Sequence, residues 1–133
     1  MVSTSTTVEQ LRNRITANLN TYSRRITEGV EVAAETTIKE MVKRTKERPT
    51  TKFSNGHYAR HISSQVGESS IHTRSRIWYV KDPCYRVTHL INNGHALRDG
   101  GRYPGDQHVT KAAEQAEIDF MSRVEEVIRN ANN

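Results

Sequence analysis

The side chains best suited to chemistry are the six histidines. His57 and His61 stand four apart, a spacing that puts two imidazoles on one face of a helix, as some zinc sites require. Only a short helix is available there, and no HExxH pattern accompanies it. His89, His95 and His108 would make a ligand set with Cys84 if the chain between them folded back. Their spacing repeats no zinc frame. The reading adopted is that His89 and His95 hydrogen-bond to backbone at a turn and hold its shape. No metal and no other cofactor is expected.

A nuclease reading starts from Asn92-Asn93-Gly94-His95. A one-metal nuclease needs a base such as His95 together with acidic or imidazole ligands at a fixed site. The nearest acids, Asp99 and Asp106, both sit among turn-formers, and Asp99 more simply caps the Gly100-Gly101 turn. Gly100, Gly101 and Gly105 lack the GKS/T of a phosphate loop. Ser/His/Asp catalysis has no local signature. No catalytic residue is assigned, and the chain is not expected to be an enzyme.

The elements that would position these groups centre on Tyr85–His108, YRVTHLINNGHALRDGGRYPGDQH. Tyr85, Val87 and His89 alternate with Arg86, Thr88 and Leu90, which is strand periodicity, so Tyr85–Ile91 is expected to form a strand or the start of a short helix. Asn92-Asn93-Gly94 ends it in a tight turn. Asp99-Gly100-Gly101 and Pro104-Gly105-Asp106 are further turns. The polar excursion Arg98–Gln107 buries almost nothing, and such loops in small domains are usually functional or disordered. Arg98, Arg102, Tyr103 and Gln107 are the candidate inter-subunit or inter-ring contacts. Arg86, His89, Gly94 and His95 are expected to support that loop.

The order Y-R-x-T-H-L-I-x-N-G-H-A-x-R-x-G-G-R-x-x-G-x-x-H, followed by a helix opening on small residues and glutamate, resembles a family of small proteins of long-tailed phages. Its members are described as tail components, or as neck and head–tail joining proteins. The family's T-G-x-Y-like turn, after a first helix and ahead of the strands, has its counterpart in Asn55-Gly56-His57-Tyr58, with Asn55 in place of threonine. Where the family often carries proline at the start of its last helix, this chain has His108-Val109-Thr110-Lys111-Ala112-Ala113-Glu114. The likeness covers the second half of the chain well and the first half in layout only.

What the resemblance implies is a structural virion protein of the neck, assembled in the host cytoplasm, joining the head connector to the tail as a homo-oligomeric ring around the DNA exit path. Expected partners are further copies of the chain, head-completion or connector proteins, tail terminator or tail tube proteins, and genomic DNA by non-specific contact. A tail terminator or tail completion protein of the same neck is the nearest alternative. A basic DNA-binding protein or nuclease is the alternative from another class.

Composition agrees with a need for partners. At 133 residues, with 34% hydrophobic residues and a net charge of +5, the chain has a thin core and a basic surface. Basic residues load the first half, where Lys43, Arg44, Lys46 and Arg48 are the candidate DNA-channel residues, through salt-sensitive contacts to phosphate. These residues also suit the negative end of a helix. Glu114, Glu117, Asp119, Glu125 and Glu126 make the C-terminal helix acidic, and unlike charges at two ends of a subunit can meet head to tail. One cysteine cannot close an internal disulfide, which fits a reducing cytoplasm. No membrane span or signal-peptide core is seen.

Val8, Leu11, Ile15, Leu19, Tyr22, Ile26, Val30, Ala33 and Thr37 step by three and four, with Ala34, Ile38 and Met41 in a neighbouring row. The spacing predicts a helix over about 7–46, capped by Thr6 or Thr7, with a bend or break at Gly29 and an end before Pro49. Arg76–Val80 is the strongest strand, with Trp78 and Tyr79 on opposite faces, one in the core and the other a candidate interface anchor. Ile62–Val66 and Ser69–Thr73 form a hairpin or one bulged strand around Gly67. The last helix is expected over Thr110–Asn130, with Thr110 as N-cap and Ala113, Ala116, Phe120, Val124, Val127 and Ile128 facing inward. The fold class is therefore α+β: a long N-terminal helix, a small antiparallel sheet arranged as a meander, and a C-terminal helix packed on it. Residues 1–7 are expected to form a flexible N-terminus ahead of one domain, 8–133, in which 57–108 holds the sheet and loop.

Overall fold

The computed structural model describes residues 7–47, 56–70 and 74–131. Helix α1 spans Val8–Glu47 and begins on a reciprocal cap. The Gln10 N–H donates to Thr7 Oγ1 at 3.1 Å and the Thr7 N–H to Gln10 Oε1 at 3.2 Å, so two otherwise orphaned donors are satisfied together. The helix then runs unbroken through Gly29. A Cβ built there would lie 2.5 Å from a Val127 methyl, so the glycine marks a close approach of two helices rather than a bend. The predicted end before Pro49 and the connector that follows lie outside the described residues.

After α1 come a single helical turn, α2 (His57–Arg60), and the strands β1 (Ile62–Ser69) and β2 (Arg74–Val80). The two strands pair antiparallel, from Ile62 opposite Val80 to Ser69 opposite Arg74, with a register irregularity between Val66 and Ser69 around Gly67. Pleating sends Ile62, Trp78 and Val80 toward α1 and leaves Ile77 exposed. Trp78 is the core aromatic of its pair. Its indole N–H donates to Thr45 Oγ1 at 3.0 Å, and the Thr45 hydroxyl reaches the Met41 and Val42 carbonyls at 2.9 Å. The polar tip of the ring is thereby satisfied inside the packing.

Tyr85–Ile91 is helical, not a strand. Cys84–Val87 forms a 3-10 turn and Thr88–Asn93 forms α3. Its alternation covers too few residues to separate a strand from a buried helical turn, and the burial of Cys84 and Ile91 against Tyr58, Ile62 and Val80 decides it. The expected meander is accordingly replaced by two separate two-stranded sheets. The second pairs β3 (His95–Ala96) with β4 (Arg102–Tyr103).

Helix α4, His108–Ala131, starts two residues earlier than predicted and lies along α1. Ala112 and Ala131 are buried, while Ile128 is exposed and so is Ala113. Ala116, Phe120, Val124 and Val127 of the predicted face are half-buried, so the inward face is the predicted one without Ala113 and Ile128 and widened beyond them. It carries Arg123, which donates to Thr37 Oγ1 at 2.8 Å and to Glu40 at 2.8 Å. It also carries Asp119, which accepts from Arg44 at 3.0 Å. Gln115 first and Arg44 second hold the Asp119 carboxyl below its usual range. Ala116 and Phe120 line a groove with Ala34, Ile38 and Ser75, which places α4 against both the long helix and the sheet.

Candidate functional site

The glycine-punctuated segment is held by two close main-chain approaches and two backbone hydrogen bonds. Gly94 ends α3 at φ 85°, ψ 172°, a conformation that belongs almost exclusively to glycine. A Cβ there would sit 2.2 Å from the Tyr103 carbonyl oxygen, and one on Gly105 would sit 2.5 Å from the Asn92 carbonyl oxygen. Two stretches of main chain are pressed together with no room for a side chain. The Asp106 N–H donates to Ile91 O at 2.9 Å and the Gln107 N–H to Asn92 O at 3.0 Å, which ties the returning chain to α3.

These clamps deliver α4 to an unusual cap. Asn92 is buried, and its Oδ1 accepts the Val109 N–H at 2.9 Å and the Thr110 N–H at 3.2 Å. Its amide nitrogen donates to Thr110 Oγ1 at 3.0 Å and Asn93 Oδ1 at 2.8 Å. Asp106 Oδ1 accepts the His108 N–H at 2.9 Å. Thr110, the predicted N-cap, lies inside the helix, and a residue from another element takes its place. Asn92→Ala strands two helix N–H groups and is expected to lower stability by about 1–3 kcal/mol, measured as a shift in the urea midpoint at unchanged slope.

Beneath the cap runs a buried polar chain. His108 is 0% exposed. Its Nδ1 lies 2.6 Å from Asp106 Oδ1 and its Nε2 lies 2.8 Å from the Tyr58 hydroxyl. That hydroxyl is 3.2 Å from Thr88 Oγ1. Burial, more than any neighbouring charge, raises the Tyr58 pKa above its ordinary value, so the phenol stays neutral. The geometry pins α2, α3 and the start of α4 to one another. It leaves His108 no open face for a substrate.

The hairpin 95–103 projects from this base. Arg98 and Arg102 are exposed and Tyr103 is half-buried, its ring 5.5 Å from that of His95. The His95 Nδ1 is 3.1 Å from Ala96 O, and Asp99 Oδ1 accepts the Gly101 N–H at 2.9 Å, closing the turn as the sequence suggests. Gly94 and His95 therefore support the loop directly. His89 is exposed on α3. Arg86 stacks over Tyr85 and reaches toward Asp82 at 4.0 Å, bracing the preceding turn. Gln107, at φ 56°, is half-buried and passes the chain into α4; its carbonyl accepts the Lys111 N–H at 2.9 Å.

Of the basic residues, Lys43 and Lys46 are exposed and Arg44 is engaged by Asp119. Arg48 lies outside the described residues. Sequence reasoning named none of Asn92, Asp106, His108 and Tyr58 as structural partners. The only hint was the fixed register of the Asn-Asn-Gly and Pro-Gly-Asp turns.

A second, apolar surface lies on α1. Val8, Leu11, Ile15, Leu19 and Tyr22 are 84%, 52%, 50%, 61% and 37% exposed, although they carry the same periodic stripe that is buried at Ala33, Ala34, Thr37 and Met41. The α4 helix ends at Ala131, beside Asn18, Tyr22 and Arg25. At 40 residues α1 is about 60 Å long and the 24-residue α4 about 36 Å, so the first turns of α1 extend past the end of α4. On the outer face of α4, Ile118, Met121 and Ile128 are exposed at 63%, 58% and 44%.

No protein-family model matches the chain, and no curated protein or solved structure matches it significantly. Among the described residues, no helix is long and apolar enough to cross a membrane.

Proposed function

We propose that the chain is a structural protein of the neck of a long-tailed phage, joining head connector to tail as a ring around the DNA exit path. The observation that carries this is the apolar row Val8–Tyr22, exposed among the described residues. Burying such side chains is worth on the order of 1.5–3 kcal/mol each, and an isolated subunit leaves that free energy unrealised. A second copy of the chain is the occupant that fits. Two different faces of one subunit, this row and the exposed row of α4, thus present apolar surface that each can cover. Such a contact is heterologous, and where its rotation closes it forms a ring.

The Tyr85–His108 resemblance is what supports reading that ring as a neck layer of a virion. Its hairpin, with Arg98, Arg102 and Tyr103 on a base rigidified by two glycine clamps, serves as the contact to the adjoining layer. Lys43 and Lys46 face solvent and provide any non-specific contact to DNA. A tail terminator would present the same architecture one layer away.

Leu11→Glu combined with Leu19→Glu is expected to abolish ring assembly while changing subunit stability by no more than about 0.5 kcal/mol, because both side chains are exposed in the subunit. Electron microscopy of assembled particles, with circular dichroism of the purified variant, checks it. In the phage that carries this gene, deletion is expected to yield filled heads and detached tails. Infectious tailed particles without the gene product would overturn the reading.

A further inference from the structure

We infer that His57, His61 and Cys84 form a zinc site. The three residues come from the start of α2, the residue after it, and the start of the 3-10 turn, and one donor atom from each lies within 4.8 Å of the other two. Tetrahedral zinc, with bonds of about 2.0–2.3 Å, holds its donors roughly 3.3–3.8 Å apart. Contraction by about 1 Å closes the set, and His57 is exposed on a helix end, free to rotate inward.

The scaffold around the donors is already fixed. The Lys81 N–H donates to His61 O at 2.8 Å and the Cys84 N–H to Lys81 O at 3.0 Å, so two of the ligating residues are linked through one backbone bridge. His61 Nδ1 lies 2.7 Å from His57 O. Donation to that carbonyl sets the tautomer and leaves Nε2 as the lone-pair donor, the outer-shell arrangement usual for ligating imidazoles. The two histidine rings are 4.6 Å apart, centroid to centroid.

The chemistry of the set selects the ion. One thiolate and two imidazoles suit borderline-soft zinc, and the absence of any carboxylate from the cluster disfavours calcium and magnesium. Cys84 is 6% exposed within the cluster of Tyr58, Ile62, Val80 and Ile91. A bound cation would neutralise the charge of the ligating thiolate. The exposed His57 leaves a solvent route and a fourth position for water. Such an ion would staple α2 to the turn that follows β2, at the base of the polar chain through Tyr58.

The test uses the full chain, stripped with chelator, loaded with zinc and desalted. About one zinc per chain is expected, and cobalt loaded in its place should show the near-ultraviolet thiolate-to-metal band. His57→Ala, exposed and so harmless to folding, should weaken zinc affinity by more than about tenfold, since loss of a ligand exceeds the effect of losing its outer-shell partner. Cys84→Ser should remove the cobalt band, and His89→Ala should change neither. Wild-type chain that retains no stoichiometric zinc overturns the assignment. So does zinc held equally well by His57→Ala, or cobalt bound without the thiolate band.

Discussion

Replacing His108 with alanine is expected to cost about 3–5 kcal/mol of folding stability, the range for breaking a buried polar pair by removing one partner. The ring is fully buried and is bonded at both nitrogens. Its loss leaves a cavity between three elements. It leaves Asp106 with only the main-chain N–H of residue 108 on Oδ1, while Oδ2 is already buried without a hydrogen-bond partner among the described residues. The carboxylate is then a poorly compensated buried group, and the Tyr58 hydroxyl retains only Thr88. Domains of this size are typically stable by about 5–15 kcal/mol, so the variant should sit near the edge of folding. Urea titration measures it, and a loss smaller than about 1 kcal/mol would contradict the described network. His108→Gln, which can still reach one partner, should recover part of the loss.

The second large effect is expected at Gly94. Alanine there needs a glycine-only backbone region, a strain of about 1–3 kcal/mol by itself. Its Cβ would also meet the Tyr103 carbonyl oxygen at 2.2 Å and the Pro104 carbonyl carbon at 2.7 Å. Those are backbone atoms with no rotamer to adopt, so the chain from 103 to 105 must move. Movement there pulls on the Asp106 and Gln107 hydrogen bonds to α3 and hence on the Asn92 cap. We expect a loss above about 3 kcal/mol together with faster proteolysis of the hairpin. Gly100 provides the comparison. It too has positive φ, at 91°, but a Cβ there meets nothing within 4 Å, so Gly100→Ala should cost only about 1–2 kcal/mol. Equal effects at the two positions would mean that the close approach of the main chain at Gly94 is not tight.

The sequence by itself determined the elements whose signal is local and repeated. The long stripe and a threonine cap specify α1 because period and cap are properties of neighbouring residues. The run Arg76–Val80 specifies β2, and Asn-Gly, Asp-Gly and Pro-Gly pairs specify where the chain turns. Tertiary structure alone decided the rest. Residues 84–91 became helical because Cys84 and Ile91 had a core to enter, which no short window of sequence reveals. The reach of α4 and of the first sheet divides α1 into a buried half and an exposed arm, since the stripe reads alike in both. Asn92 reaches the start of α4 across 17 positions, Tyr58 reaches His108 across 50, and Cys84 joins His57 and His61 from beyond the sheet. Side chains so far apart in sequence leave no periodic trace, because their geometry is set by the packing of whole elements.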